Sequence, residues 1–183
     1  FFITAAHVCE DELDMLKKGS RLESNYTVYN IKGKKFQAIE LIYDRKIDVC
    51  LMYAPNISKD VEEVKIAPIG PQAGDRVYNI AAPRGIFQPN MVPILEGRYN
   101  GDAEGVAYYT LPAAPGSSGS MIVNENGQLV GMVHSVYIHF PVMTLSTKYD
   151  NLVSFIQTNV EKFMLFKKMI NYIKINFKAF GLN

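Results

Sequence analysis

The sequence has few of the residues that build metal centres, disulfide frameworks or membrane spans. Only two of its 183 residues are cysteines, Cys9 and Cys50, and their spacing matches no metal-ligand motif. We expect two buried free thiols; a disulfide formed in an oxidising compartment is the alternative. No uncharged apolar run reaches the roughly 18 residues that a transmembrane helix needs. The net charge is only +1, which argues against a protein that binds nucleic acid through bulk charge.

Helical periodicity is also scarce, and most of the chain is typical of short strands. Apolar or alternating runs rich in Val, Ile, Tyr and Phe are separated by Gly, Pro, Asn and Asp. Asn126 and Gly127 lie between two such runs and indicate a tight hairpin, because both residues tolerate positive φ. Many short strands without intervening helices predict an all-β sandwich or barrel. The predicted strands cover residues 1–6, 26–31, 36–43, 47–53, 77–82, 91–95, 106–111, 120–123, 129–136 and 141–145.

A proline- and glycine-rich stretch divides these strands into two groups. Residues 54–75 hold three prolines and two glycines, and we place the connection between two β-subdomains there. The chain opens on an apolar run with no leader segment, so we expect its natural start to lie upstream. The predicted units are residues 1–60, residues 61–147 and a C-terminal helical region over residues 148–183.

The C-terminal region carries the only helical pattern. Apolar residues recur at i, i+3, i+4 and i+7 from Tyr149 to Ile156, and Thr147 and Asp150 stand at capping-box spacing before them. A second, basic helix is predicted over residues 160–180. We expect these amphipathic helices to pack on the barrel or to act as a linker; contact with a membrane surface or with a partner is the alternative.

The residues most suggestive of chemistry form the turn Pro-Gly-Ser-Ser-Gly-Ser at 115–120. Glycines on both sides of a serine let the backbone bend sharply, expose the hydroxyl and gather N–H groups that can bind an oxyanion. Taken alone, the same turn is also typical of an ordinary hairpin loop.

A nucleophilic serine needs a base, and the chain has three histidines. His7 follows the first predicted strand, whereas His134 and His139 lie in or after the strand that follows the turn. The base needs a carboxylate to orient it. Asp48 is a candidate, because it lies in the apolar run 47–53, where a carboxylate is costly unless it is paired. A purely structural aspartate is the alternative.

Three blocks together resemble the catalytic blocks of trypsin-like serine proteases, in that family's chain order. They are Thr-Ala-Ala-His ending at His7, Asp-Val-Cys-Leu starting at Asp48, and Gly-Ser-Ser-Gly-Ser around Ser118. The closest likeness in motif is to the HtrA (DegP)-like trypsin-like peptidases of bacteria, phages and organelles. The segment 74–85 is similar to the one that leads their second barrel, and the resemblance runs from residue 1 to about residue 157.

This resemblance implies a fold and a set of roles. The fold would be two six-stranded antiparallel β-barrels, the first incomplete at its N-terminus, followed by one or more helices. Ser118 would be the nucleophile, His7 the general base and Asp48 its orienting partner, with the N–H groups of Gly116 and Ser118 as the oxyanion hole. The substrate would be a polypeptide, with no nucleic acid, metal or cofactor involved. The implied substrate-binding residues are Ala113, Ala114, Val133, His134, Ser135 and Val136.

The chain also departs from the family pattern. Ser117 replaces the aspartate that receives the new amino terminus in trypsin, so that activation route is not expected. Ser120 replaces the commoner glycine, as in glutamate-cleaving relatives, but His134 falls one residue past their pocket histidine. We therefore expect the specificity pocket to take a small or apolar substrate side chain, with glutamate as the alternative. For His134 itself, the alternative is a place beside Asp48. The competing functions are a catalytically silent module that grips extended peptides and a small-molecule esterase.

Overall fold

The apolar runs of the sequence form ten antiparallel strands and one long helix among the residues that the structure describes. The computed structural model describes residues 1–9, 26–55, 57, 61–137, 139–140 and 142–179. The elements are β1 (Phe2–Thr4), β2 (Tyr26–Tyr29), β3 (Lys35–Asp44), β4 (Val49–Tyr53), β5 (Arg76–Ile80), β6 (Ile94–Ala103), β7 (Val106–Thr110), β8 (Met121–Asn124), β9 (Leu129–Val136), β10 (Met143–Thr147) and α1 (Tyr149–Ala179).

The six later strands close into a barrel in the order β10-β7-β6-β5-β8-β9. Alternate residues of each strand point inward, and Val77, Tyr109 and Ile122 are fully buried there. Burial of each such side chain stabilises the fold by about 1.5–3 kcal/mol. The barrel carries the turn 115–120 at the start of β8.

The four earlier strands form a separate curled sheet in the order β1-β4-β3-β2. Phe2 pairs with Met52 and Thr4 with Cys50, so β1 and β4 place their ends side by side. With the closed barrel and the C-terminal helix, this sheet confirms the predicted fold, two antiparallel β-barrels of which the first is incomplete, followed by a helix. The sheet has four strands in the described residues, against six in the closed barrel.

Some predicted boundaries were wrong. The first strand stops at Thr4, and residues 6–9 form a helical turn, so His7 lies in that turn rather than at a strand end. Asp48 lies in the turn 45–48 immediately before β4, not within the strand. The hairpin at Asn126 and Gly127 is confirmed. It joins β8 to β9, and Gly127 has a φ of +70°.

The C-terminal region is one continuous helix, so the predicted break near residue 160 was wrong. No glycine or proline interrupts residues 149–179, which leaves nothing to stop the helix. Its first turns dock on the protein body: Leu152 is fully buried, and the Phe163 ring lies 5.4 Å from that of Phe1 and 5.2 Å from that of Tyr53. Packing on the body agrees with the expected role. Residues 180–183 of the predicted helical region lie outside the described residues.

A small core joins the two sheets and the helix. It brings together Ala5 after β1, Val49 in β4, Met132 in β9 and Leu152 in α1, all at most 1% exposed. Within the described residues, no helix is both long enough and apolar enough to cross a membrane. This joint core holds the end of the four-stranded sheet that carries His7 and Asp48 against the barrel that carries Ser118.

Candidate active site

The imidazole of His7 is held by the carboxylate of Asp48 in two ways. His7 Nδ1 lies 2.9 Å from Asp48 Oδ2, and the backbone N–H of His7 donates to Asp48 Oδ1 at 2.9 Å. Because a carboxylate accepts hydrogen bonds, Nδ1 carries the proton and Nε2 presents a lone pair. The His7 side chain is 47% exposed and that of Asp48 is 23% exposed, so the pair opens onto solvent. The sequence-predicted base and its orienting carboxylate are therefore brought together.

Asp48 is fixed by long-range contacts on both sides. Its φ is +50°, a left-handed conformation that aspartate tolerates better than most residues. The carbonyl of the preceding Ile47 accepts a hydrogen bond from Thr147 Oγ1 at the end of β10. The residue after it, Val49, lies in the joint core. The barrel thus helps to position the carboxylate.

Cys9 and Cys50 form a disulfide, so the expectation of two free thiols was wrong. Each cysteine stands two residues after a member of the His7–Asp48 pair, and both are fully buried. The bond ties the helical turn 6–9 to the start of β4. The sequence did not reveal this pairing because the 41-residue separation says nothing about distance in space.

The turn with Ser118 packs directly against the strand that leads to His7. Gly119 has a φ of +81°, and a Cβ at that position would lie 2.9 Å from the backbone nitrogen of Ala5 and 3.0 Å from the Cα of Thr4. Only glycine fits this contact. Ser118 Oγ forms no hydrogen bond with His7 or with any other described residue. Such bonds are often longer without substrate and tighten in the complex.

The two predicted oxyanion donors have backbone N–H groups with no acceptor in the part of the chain that the structure describes. Neither the N–H of Gly116 nor that of Ser118 donates to a described residue. The carbonyl of Pro115 accepts a hydrogen bond of 2.7 Å from the backbone nitrogen of Arg84. Since the C=O and N–H of a trans peptide point in opposite directions, this bond directs the Gly116 N–H away from Arg84. A Cβ at Gly116 would lie 2.9 Å from the carbonyl oxygen of Ala82.

Beyond the turn, part of β9 has an open edge. The pairing of β8 with β9 ends at Met121 and Met132, and both backbone groups of Val133 are bonded to the turn, through Gly119 and Ser120. Val133, one of the predicted substrate-binding residues, therefore has no free backbone group. Ser135 and Val136 pair only with β10 among the described strands, so their other edge has no partner there.

A bulge in β9 re-aims His134. Ser135 pairs with Leu145 and Val133 with Ser146, which leaves His134 as an extra residue. His134 Nδ1 lies 2.9 Å from Ser135 Oγ. Burial lowers the pKa of His134, the Asp48 carboxylate acts in the opposite direction, and the His7 imidazole lowers the pKa further.

Both members of the pair act on His134 electrostatically, and its placement beside Asp48 stays a prediction. The other two predicted pocket residues, Ala113 and Ala114, precede the turn; Ala113 is 8% exposed and Ala114 is half-buried. Among the described residues, no group of three or more His, Cys, Asp or Glu side chains is placed to hold a metal ion.

Sequence reasoning missed one polar residue beneath the turn. Asn79 is fully buried in β5 and donates hydrogen bonds of 2.7 Å to Ser120 Oγ and 2.8 Å to the Met121 carbonyl. Its signal was available, because a polar amide occupies the core-facing side of an apolar strand next to Val77.

Comparisons with known proteins show the family and the fold of the chain. The model of the trypsin-like peptidase domain matches residues 1–132. The active form of the Rv3671c protease of Mycobacterium tuberculosis is similar at 21% identity and a TM-score of 0.65, over 83% of this chain and 66% of that one. The serine endoprotease from Yersinia pestis is similar at 15% identity and a TM-score of 0.69, over 87% of this chain and 53% of that one. The search of curated protein sequences found no significant match.

At these identities the solved structures show a shared fold, whereas the family match rests on the sequence itself. That match covers well over half of the chain, including the blocks around His7, Asp48 and Ser118. The chain therefore belongs to the trypsin-like peptidase domain family and is a trypsin-like serine protease.

Proposed function

We propose that the chain is a serine endopeptidase in which Ser118 is the nucleophile, His7 the general base and Asp48 the residue that orients it. The observation that supports this most directly is the double contact of the Asp48 carboxylate with the Nδ1 and the backbone N–H of His7. That contact fixes the tautomer and leaves Nε2 free to accept a proton.

The proposed reaction has two halves. Ser118 Oγ attacks the carbonyl carbon of the peptide bond while its proton passes to His7 Nε2, and Asp48 stabilises the resulting imidazolium. The oxyanion that forms is bound by the N–H groups of Gly116 and Ser118, which have no acceptor among the described residues. His7 then gives the proton to the leaving amine, and the C–N bond breaks to leave an acyl-enzyme. Water, deprotonated by His7, hydrolyses this ester and restores the serine.

The proposed substrate is an extended polypeptide. The edge of β9 at residues 134–136, which has no partner among the described strands, offers backbone groups for strand addition, which binds a chain without reading its side chains. The pocket residues Ala113 and Ala114 are small and uncharged, so the residue before the cleaved bond would be small or apolar.

A fluorophosphonate probe tests this proposal, because it reacts readily only with an activated serine. We expect stoichiometric labelling of the wild-type chain, with the probe mapped to Ser118 by peptide mass spectrometry. Ser118→Ala should abolish labelling, and His7→Ala should slow it by at least about 10³-fold.

Ser154→Ala is the matched control. Ser154 lies exposed on α1, and its loss should leave labelling unchanged. A folded chain that is not labelled, yet binds extended peptides, would support the catalytically silent module instead. Labelling at a serine other than Ser118 would show that the nucleophile is misassigned.

A further inference from the structure

The amide of Asn79 occupies a place that an apolar side chain would ordinarily fill. Val77 and Asn79 lie on the core-facing side of β5, and both are 0% exposed. Asn79 Oδ1 has no hydrogen-bond partner among the described residues. A buried polar group without a partner is unfavourable for folding. Packing alone therefore does not account for an amide at this position, and the contacts of its nitrogen, Asn79 Nδ2, are informative.

Those contacts form a directed chain of hydrogen bonds. Asn79 Nδ2 lies 2.8 Å from the Met121 carbonyl oxygen, which only accepts, so this atom is the amide nitrogen. Its second hydrogen goes to Ser120 Oγ at 2.7 Å. Ser120 Oγ then donates its own hydrogen to the carbonyl of Ser117 at 2.6 Å. Both hydrogens of the amide are used, and the direction of the Ser120 hydroxyl is fixed.

The end of this chain is the peptide between Ser117 and Ser118. The Ser117 carbonyl also accepts the backbone N–H of Ser120 at 3.0 Å, so two donors hold it. Because C=O and N–H point in opposite directions in a trans peptide, the fixed Ser117 carbonyl fixes the Ser118 N–H on the other side. That N–H is one of the two proposed oxyanion donors.

We propose that Asn79 is a positioning residue that acts through Ser120 to hold the Ser118 N–H in its oxyanion-binding orientation. The side chain of Ser117, which is 1% exposed, accepts a hydrogen bond from Ala114 N at 3.3 Å, so the turn is held by contacts within the barrel. This inference rests on the proposed function, since it assigns Asn79 a part in the same oxyanion site.

The experiment compares two variants that break the link at different points. Asn79→Leu keeps the branch at Cγ and the number of side-chain heavy atoms, removes both donors and removes the unsatisfied acceptor. Ser120→Ala removes the hydroxyl at a half-buried position. Each should lower kcat on a peptide ester and the rate of fluorophosphonate labelling by about 10- to 100-fold, with KM changed less than about threefold. Loss of a full oxyanion donor costs about 10²–10³ in kcat, and a misoriented donor should cost less.

The double variant Asn79→Leu/Ser120→Ala should be no slower than the slower single variant, because both changes remove one link. Tyr109→Phe is the matched control. It removes a buried hydrogen bond of the same barrel, from Tyr109 Oη to the Val130 carbonyl at 3.1 Å, without touching the turn. It should be labelled at the wild-type rate even where its melting temperature falls. If Asn79→Leu does not fold, Ser120→Ala alone tests the link to the Ser118 N–H.

Three outcomes would overturn the inference. Wild-type labelling rates in Ser120→Ala, or losses that add in the double variant, would show that no link to the Ser118 N–H exists. If Tyr109→Phe slowed labelling as much as Ser120→Ala does, the slower labelling would result from a general loss of stability. In each case the wild-type chain is still labelled at Ser118, so the proposed function stands. A wild-type chain that is not labelled would overturn the proposed function and this inference with it.

Discussion

At the residue scale, the site has a second imidazole, His134, on which both His7 and Asp48 act electrostatically. His134 is half-buried and is bonded to Ser135, and its pKa is lowered mainly by burial. A neutral His134 adds no positive charge beside His7. That matters for the proposed mechanism, because an imidazolium must form on His7 during each turnover.

The lowered pKa of His134 predicts a loss of stability in acid. Below the ordinary histidine pKa of about 6.5 the unfolded chain takes up a proton at this residue before the folded chain does. The folded state is therefore favoured least at low pH, and this contribution is fully present only above about 6.5. We expect the free energy of unfolding in urea to fall less between pH 7.5 and pH 5.0 in His134→Gln than in the wild type. Equal losses in both proteins would contradict the lowered pKa.

At the element scale, the helical turn 6–9 is the segment that holds His7. The Cys9–Cys50 disulfide and the hydrogen bond from the His7 N–H to Asp48 both tie it to the start of β4. The two cysteines are 41 residues apart in sequence. A disulfide that closes a loop of this length commonly stabilises the folded protein by about 2–4 kcal/mol. The same bond therefore bears on stability and on the position of His7.

Reduction of this disulfide should lower the stability of the fold and disturb the position of His7. With dithiothreitol we expect the free energy of unfolding to fall by about 2–4 kcal/mol, measured in urea, and labelling of Ser118 to slow. The double variant Cys9→Ser/Cys50→Ser is the control, because dithiothreitol should change neither quantity in it. A wild-type chain that unfolds at the same urea concentration with and without reductant would refute the contribution of the bond.

Elements governed by local pattern were predictable from the sequence, whereas features governed by distant contacts were not. Alternating apolar residues and the Asn126–Gly127 turn predicted the hairpin and five of the six barrel strands, because both depend on neighbours along the chain. The sixth strand, β6, was predicted over residues 91–95 but extends over Ile94–Ala103. The left-handed turn at Asp48 depends on His7 and on Thr147, 41 and 100 residues away from the turn in sequence. The bulge at His134 likewise depends on its pairing with β10. No local pattern encodes these contacts.

At the scale of the whole molecule, the candidate site lies where two sheets meet. His7 and Asp48 lie at one end of the four-stranded sheet, after β1 and before β4, and Ser118 lies in the barrel. Their relative position depends on the joint core and on the contact of Gly119 with Thr4. The C-terminal helix takes part, because Leu152 fills that core from outside both sheets. An element remote in sequence from the site thus contributes to its geometry.

Leu152→Ala should therefore damage catalysis as well as stability. Leu152 is 0% exposed, and its truncation leaves a cavity beside Ala5 and Val49, close in sequence to His7 and Asp48. We expect the free energy of unfolding to fall by about 3–5 kcal/mol. A shift of about 1 Å between reacting groups can cost about 10²-fold in rate, so a partial shift of the two sheets should slow labelling by roughly tenfold.

Val77→Ala separates the two effects, because Val77 is equally buried but lies inside the barrel core. It should lower stability by about 1.5–3 kcal/mol and leave labelling within about twofold of the wild type. Both variants are measured by urea unfolding and by fluorophosphonate labelling at a temperature where each is folded. If Leu152→Ala lost stability yet was labelled at the wild-type rate, the joint core would stabilise the fold without setting the position of His7 and Asp48 relative to Ser118.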